Sequence, residues 1–190
     1  MTARPPRMPP IPDAEMTDAQ KAAVKDIISG PRGHLVGPFI PLLRSPDFMN
    51  RLQKTGEYLR FNSALEPRRS EMVILMTARV WSQTFEWHHH RTIAEKAGLA
   101  AEIIDAIAEG RRPAKMAADE AAIYDFIDEL SRNRSVSDAT YARTKEQFGE
   151  RGIVDMIGIH GYYSLLAMIL NVSRAPLPEG VDAGLEPFPR

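Results

Sequence analysis

Two runs of this chain have no polar face. Met72-Val-Ile-Leu-Met76 is apolar all round its helical turn, and so is much of Met156-Ile-Gly-Ile-His-Gly-Tyr-Tyr-Ser-Leu-Leu-Ala-Met-Ile-Leu170. A helix that is apolar on every side has to be covered on every side. These two segments therefore need other helices of the chain, a second copy of it, or both, packed around them.

The punctuation of the sequence supplies the other helices. Thr17 and Gln20 have capping-box spacing and open a helix over Asp18 to Ser29, which Gly30-Pro31-Arg32-Gly33 stops. His34 to Arg44 reads as an irregular, partly buried loop. Ser45-Pro46 starts a second helix running to about Asn62. Pro67 opens a third, through Trp81. A fourth begins near Gln83 or Thr84 and ends at Gly98, and a short fifth covers Ala100 to Glu109. After the break at Gly110-Arg-Arg-Pro113, helices follow over Ala118 to Asn133, from the Ser137 cap through Phe148, and over Gly152 to Asn171. No segment alternates as a strand does. The expected fold is all-α, about eight helices in a single domain over residues 17–175. An extended proline-rich arm precedes it (1–16) and a surface tail follows (176–190).

Composition narrows the function classes. Of 190 residues, 44% are apolar and 26% charged, with a net charge of -1. That is the profile of a globular domain with no basic footprint for nucleic acid and no polybasic patch for a membrane surface. No run reaches the ~18 consecutive apolar residues of a membrane span. The first twelve residues hold five prolines and no apolar core, unlike a secretory signal. The expectation is a cytoplasmic protein without nucleic-acid or membrane partners. There are no cysteines, so the chain offers no disulfide, thiolate ligand or thiol nucleophile.

The segment Glu86-Trp-His-His-His90 holds the densest chemistry. At about 100° per residue, Glu86, His90, Ile93, Ala94 and Ala97 share one apolar face, with Trp87 at its flank. His88, Arg91 and Glu95 lie opposite, and His89 sits at the edge beside Lys96. The three histidines point three ways, so they form no single ligand cluster, and His88 and His89 are expected in solvent. Glu86 and His90 are neighbours at i, i+4 and both project from the buried stripe. Burial favours the neutral imidazole and a nearby carboxylate the charged one, which suits a general acid or base. A hydrogen-bonded pair that merely fixes helix packing is the plainer alternative. Glu71, at the start of the all-apolar third helix, and His160, midway along the last, add a second carboxylate and a second imidazole to the expected interior. A metal held by Glu86, His90 and His160 is a further alternative, although no second helix carries a matching pair and no HExxH is present.

Glu71-Met-Val-Ile-Leu-Met-Thr-Ala-Arg79, Glu86-Trp-His-His-His90, Ala97-Gly98-Leu99 with the downstream Ile-Ile-Asp-Ala-Ile, and Gly161-Tyr162-Tyr163 followed by Leu170-Asn171 resemble the carboxymuconolactone decarboxylase family, which is related to the alkylhydroperoxidase D (AhpD)-like proteins. The resemblance spans roughly Ser45 to Pro178. The peroxidase branch of that group carries Cys-x-x-Cys-x-x-x-His with an upstream glutamate. Here the cysteine positions correspond to Gln83 and Glu86, the histidine to His90 and the glutamate to Glu71. The chain resembles a cysteine-free branch, in which a thiol peroxidase cycle has no nucleophile.

The resemblance implies an all-helical AhpD-like fold, assembly as a homotrimer or hexamer, no organic cofactor, and lyase chemistry, namely decarboxylation of a small organic acid or lactone such as arises in aromatic degradation. In that reading His90 donates or accepts the proton, Glu86 orients it and tunes its pKa, Glu71 is a second carboxylate or a ring-nitrogen partner, and His160 completes the pocket. Arg79 is the first candidate for holding a substrate anion, with Arg60 and Arg44 behind it. Trp87 and Tyr163 are the candidate substrate-contacting rings. A binding or scaffold protein of the same fold, without turnover, is the competing reading.

Overall fold

The computed structural model describes residues 5–178, 180–182 and 184–187. All regular structure among them is helical: a 3-10 turn at Asp13–Glu15, then α1 (Asp18–Ser29), α2 (Phe39–Leu42), α3 (Pro46–Phe61), α4 (Pro67–Val80), α5 (Thr84–Lys96), α6 (Ala101–Ala108), α7 (Ala118–Asn133) and α8 (Asp138–Ser173). The start signals act as their chemistry demands. Thr17 and Gln20 form a reciprocal capping box, proline occupies the first turn of α3 and α4, and the Ser137 hydroxyl accepts from Thr140 N.

One boundary differs from the sequence expectation. The loop expected over 34–44 contains one helical turn, α2, because Phe39, Leu42 and Leu43 all bury their side chains there. Gly37 makes the turn before it, with φ of 56°. The two helices expected around residue 150 are continuous in hydrogen bonding but break at Gly149 (φ 63°, ψ 178°). Only glycine adopts that backbone without strain, so α8 divides into arms of residues 138–148 and 150–173.

α4 is the axis of the domain. Every residue from Ser70 to Arg79 is buried, and α5, α6, α7 and α8 pack around it. Its lack of a polar face is therefore met within one chain, and a second subunit is not needed to cover it. A partly buried ion-pair group fixes its start against α7: Arg68 Nη2 donates to Asp119 Oδ2 at 2.6 Å, Arg69 Nε donates to the same oxygen at 2.8 Å, and Arg68 also pairs with Glu120. α8 is different. Its inner face is buried, but Val154, Ile157, Met168 and Val172 remain exposed along the other side. By length and composition alone α8 could cross a membrane, yet half of its apolar window is buried inside the domain, as a core helix would be.

The terminal segments are tied down. Arg7 N donates to Ser173 O (2.8 Å) and Arg44 Nη2 to Pro9 O (2.7 Å). In the tail, Leu185 is buried and the Glu186 carbonyl accepts from Arg79 Nη1 at 2.6 Å.

Candidate active site

The α4–α5 turn sets the site. Ser82 takes a positive φ of 46°, after which the Gln83 side chain caps α5 by accepting from Phe85 N (2.6 Å) and Glu86 N (3.2 Å). Gln83 Nε2 in turn donates to Asn171 Oδ1, and Asn171 Nδ2 to Trp81 O. Gln83 thus serves as a helix cap tied to α8.

With α5 so aimed, His90 lies against Glu71 of α4. His90 Nδ1 and Glu71 Oε2 are 2.6 Å apart, and Nε2 is 3.4 Å from Glu86 Oε2 one turn earlier on the same helix. All three side chains are buried. Glu86 Oε1 has no hydrogen-bond partner. The Tyr163 ring of α8 meets the imidazole edge-on at a centroid distance of 4.9 Å. Burial alone would lower the His90 pKa. The charge of Glu71 and its hydrogen bond, then Glu86, outweigh that and raise it to about 9, so the imidazolium is the resting form at neutral pH. Burial pushes the Tyr163 phenol well above its ordinary value, which keeps its O–H on.

This group opens into a cavity of about 360 Å³. Glu86, His89, His90 and Ile93 of α5 form one side, and Arg60, Phe61, Tyr163 and Leu166 line it from α3 and α8. Most of the remaining wall comes from the segment before α3, including Arg32, His34 and Phe39. Arg32 is held by its surroundings. Its Nη2 donates to Tyr162 Oη at 3.3 Å and its guanidinium lies over the Phe39 ring at 4.7 Å. The Tyr162 hydroxyl occupies a notch at Gly56 of α3, where an added Cβ would stand 2.1 Å from that oxygen and 2.6 Å from Arg32 Nη2.

Of the residues selected from sequence, Glu71, Glu86, His90 and Tyr163 come together. The others, Arg60 apart, lie elsewhere. Trp87 is fully buried in the core and does not line the cavity; from the flank of the stripe its ring turns into the packing of the bundle. His160 Nδ1 is 2.9 Å from Thr77 Oγ1, away from the cavity lining, with its pKa lowered by burial. Arg79 points to the opposite end of α4, where it binds Ala108 O and Glu186 O and lines a separate cavity with Tyr124 and Ser131. Arg44 binds backbone carbonyls. Arg60 lines the cavity of His90.

Sequence reasoning passed over Arg32, His34 and His89. His89 was expected in solvent; it is exposed, but at the cavity rim, edge-on to His90 at 5.0 Å. Burial, then the neighbouring His90 charge, lowers its pKa. Nothing in the spacing of Arg32 and His34 marks them, because the irregular chain between α1 and α3 has no period to read. Among the described residues no three His, Asp or Glu side chains gather as a metal-binding group.

A helical domain with a buried carboxylate–imidazole centre beside an open cavity is the class that fold and site define. Residues 46–129, from α3 into α7, match the model of the carboxymuconolactone decarboxylase family. Glu71, Glu86 and His90 lie inside the match; Arg32 and Tyr163 lie outside. No curated protein matches the sequence. Three solved structures share the fold. The "AhpD core" structure of an uncharacterised peroxidase-related protein from Ralstonia eutropha JMP134 is 18% identical, covering 93% of this chain and 95% of that one (TM-score 0.74). A cysteine-to-alanine variant of the debrominase Bmp8, in complex with 2,3,4-tribromopyrrole, is 9% identical over 96% and 95% (0.71). An Agrobacterium tumefaciens protein of unknown function, linked by its description to AhpD antioxidant defence, is 17% identical over 72% and 94% (0.64).

Proposed function

We propose that the chain is a proton-transfer enzyme that decarboxylates a small unsaturated organic acid or lactone acid, with His90 as the acid. The observation that carries this reading is the Glu71–His90–Glu86 centre facing a cavity large enough for such a molecule. Glu71 holds Nδ1 and keeps the ring charged. The Nε2 side, where Glu86 also lines the cavity, delivers the proton. In the reaction the bond from the substrate carbon to its carboxylate breaks and carbon dioxide leaves. The electron pair spreads onto a conjugated carbonyl or lactone oxygen, to which the neutral Tyr163 phenol is suited to donate. The carbon then takes the proton of His90, which solvent restores. Such acid–base help is worth ~10²–10⁴ in rate. The chain supplies no thiol for the cycle of a cysteine peroxidase.

The test is carbon dioxide release from carboxymuconolactone and a panel of small unsaturated lactone acids. His90→Ala should lower kcat by ~10²–10⁴ while helicity shows the variant still folded at the assay temperature, with its unfolding midpoint lowered because the buried Glu71 and Glu86 carboxylates lose their cation. Turnover of the preferred acid within a fewfold of wild type, or no acid in the panel losing carbon dioxide, would refute the proposal.

The exposed row on α8 supports assembly of several copies of the chain, whose number light scattering would give.

A further inference from the structure

The cavity holds more positive charge than its own carboxylates consume. Glu71 and Glu86 are both committed to His90. Arg32 and Arg60 line the same space, and among the described residues neither is paired with a carboxylate: Arg32 bonds the Tyr162 hydroxyl and Arg60 lies over the Phe61 ring at 5.3 Å. Arg32 Nε is buried without a hydrogen-bond partner. Two half-buried guanidinium groups lining one cavity have each given up part of their hydration, a cost that an anion bound there offsets. Their planar donors match a carboxylate.

The rest of the wall says what the carboxylate is attached to. Pro31, Pro38, Phe39, Phe61, Phe85 and Leu166 present rings and methyl groups, which favour a flat apolar body. At about 360 Å³ the space lies at the small end of ligand cavities, which run from about 300 to 1,000 Å³. The unpartnered Glu86 Oε1 opposes a second negative charge, so a carboxylate fits better than a phosphate dianion.

Resting on the proton-transfer reading of this cavity, we infer that Arg32 and Arg60 form the subsite for the carboxylate of a small, flat, apolar acid. Arg32 comes from the segment before α3 and Arg60 from the end of α3, so the subsite joins two stretches of chain that neither supplies alone.

Binding without turnover tests it, using calorimetric titration of the wild-type protein at neutral pH with benzoate, benzamide and phenyl phosphate. Benzoate has no electron sink for decarboxylation, so the outcome is independent of whether His90 transfers protons. Benzoate should bind at least about tenfold tighter than benzamide and no weaker than phenyl phosphate. Arg60→Gln and Arg32→Gln should each remove most of that preference and leave benzamide binding unchanged, while Arg60→Lys keeps part of it. Should Arg32→Gln fail to fold, Arg60→Gln decides, because its side chain makes no hydrogen bond among the described residues. Equal binding of benzoate and benzamide, no benzoate binding, or a preference surviving the substitutions overturns the subsite. Tighter binding of phenyl phosphate overturns the choice of a carboxylate.

Discussion

Replacing Glu71 by glutamine removes one negative charge and leaves the shape of the site almost unaltered. In the native protein the His90 pKa stands at about 9 against an ordinary 6.5, although burial, the largest single influence, pulls it down. Glu71 is the principal opposing charge, at 2.6 Å from Nδ1, with Glu86 farther off at 3.4 Å. Without Glu71 the burial penalty meets only the weaker partner, and the pKa should fall back toward or below its ordinary value. Stability carries the same signature. A folded-state pKa raised above the unfolded one stabilises fully below pH 6.5 and loses that contribution as pH climbs toward 9, in all about 3 kcal/mol for the wild-type imidazole. Glu71→Gln should flatten that decline. The measurements are an NMR titration of the His90 ring and urea unfolding at a series of pH values. An unchanged titration in Glu71→Gln, or a wild-type His90 that is neutral at pH 7, would refute the electrostatic argument and with it the role of imidazolium as acid.

The notch in α3 and the strap at the far end of α4 give two further expectations. Gly56→Ala places a methyl group against Tyr162 and Arg32, so it should destabilise by about 1–3 kcal/mol and weaken benzoate binding in the same variant; a midpoint and affinity equal to wild type would show that the Tyr162–Arg32 contact is not under steric control. Arg79→Ala removes the hydrogen bonds to Ala108 O and Glu186 O, and limited proteolysis should then cut the C-terminal tail faster while benzoate affinity stays unchanged. A fall in benzoate affinity would tie Arg79 to the cavity of His90 after all.

The helices were legible because their signals are local. Thr17 with Gln20, Pro46, Pro67, Ser137 and the long apolar runs act within a turn or two of where they stand, and the wheel of α5 separates Glu86 and His90 from the outward residues by geometry alone. The partner of His90 was less visible. Sequence reasoning paired it first with Glu86 at i, i+4, whereas the shorter contact is with Glu71, set by how α4 packs on α5. Arg79 illustrates the opposite failure: it shares a helix with Glu71 but lies two turns on, so a residue near in sequence faces a different cavity. The sequence marks His160 as a titratable group on an apolar helix and Trp87 as a ring at the flank of the α5 stripe, and neither position says what the side chain packs against. Arg32 lies on chain without periodicity and was out of reach of pattern reading.

Glu71, Glu86 and His90 and the basic residue upstream of α3 sit on separate lengths of the chain, the former inside the stretch that matches the family model and the latter before it. Mutation upstream of α3 can therefore redraw the cavity wall without disturbing the Glu71–His90–Glu86 geometry.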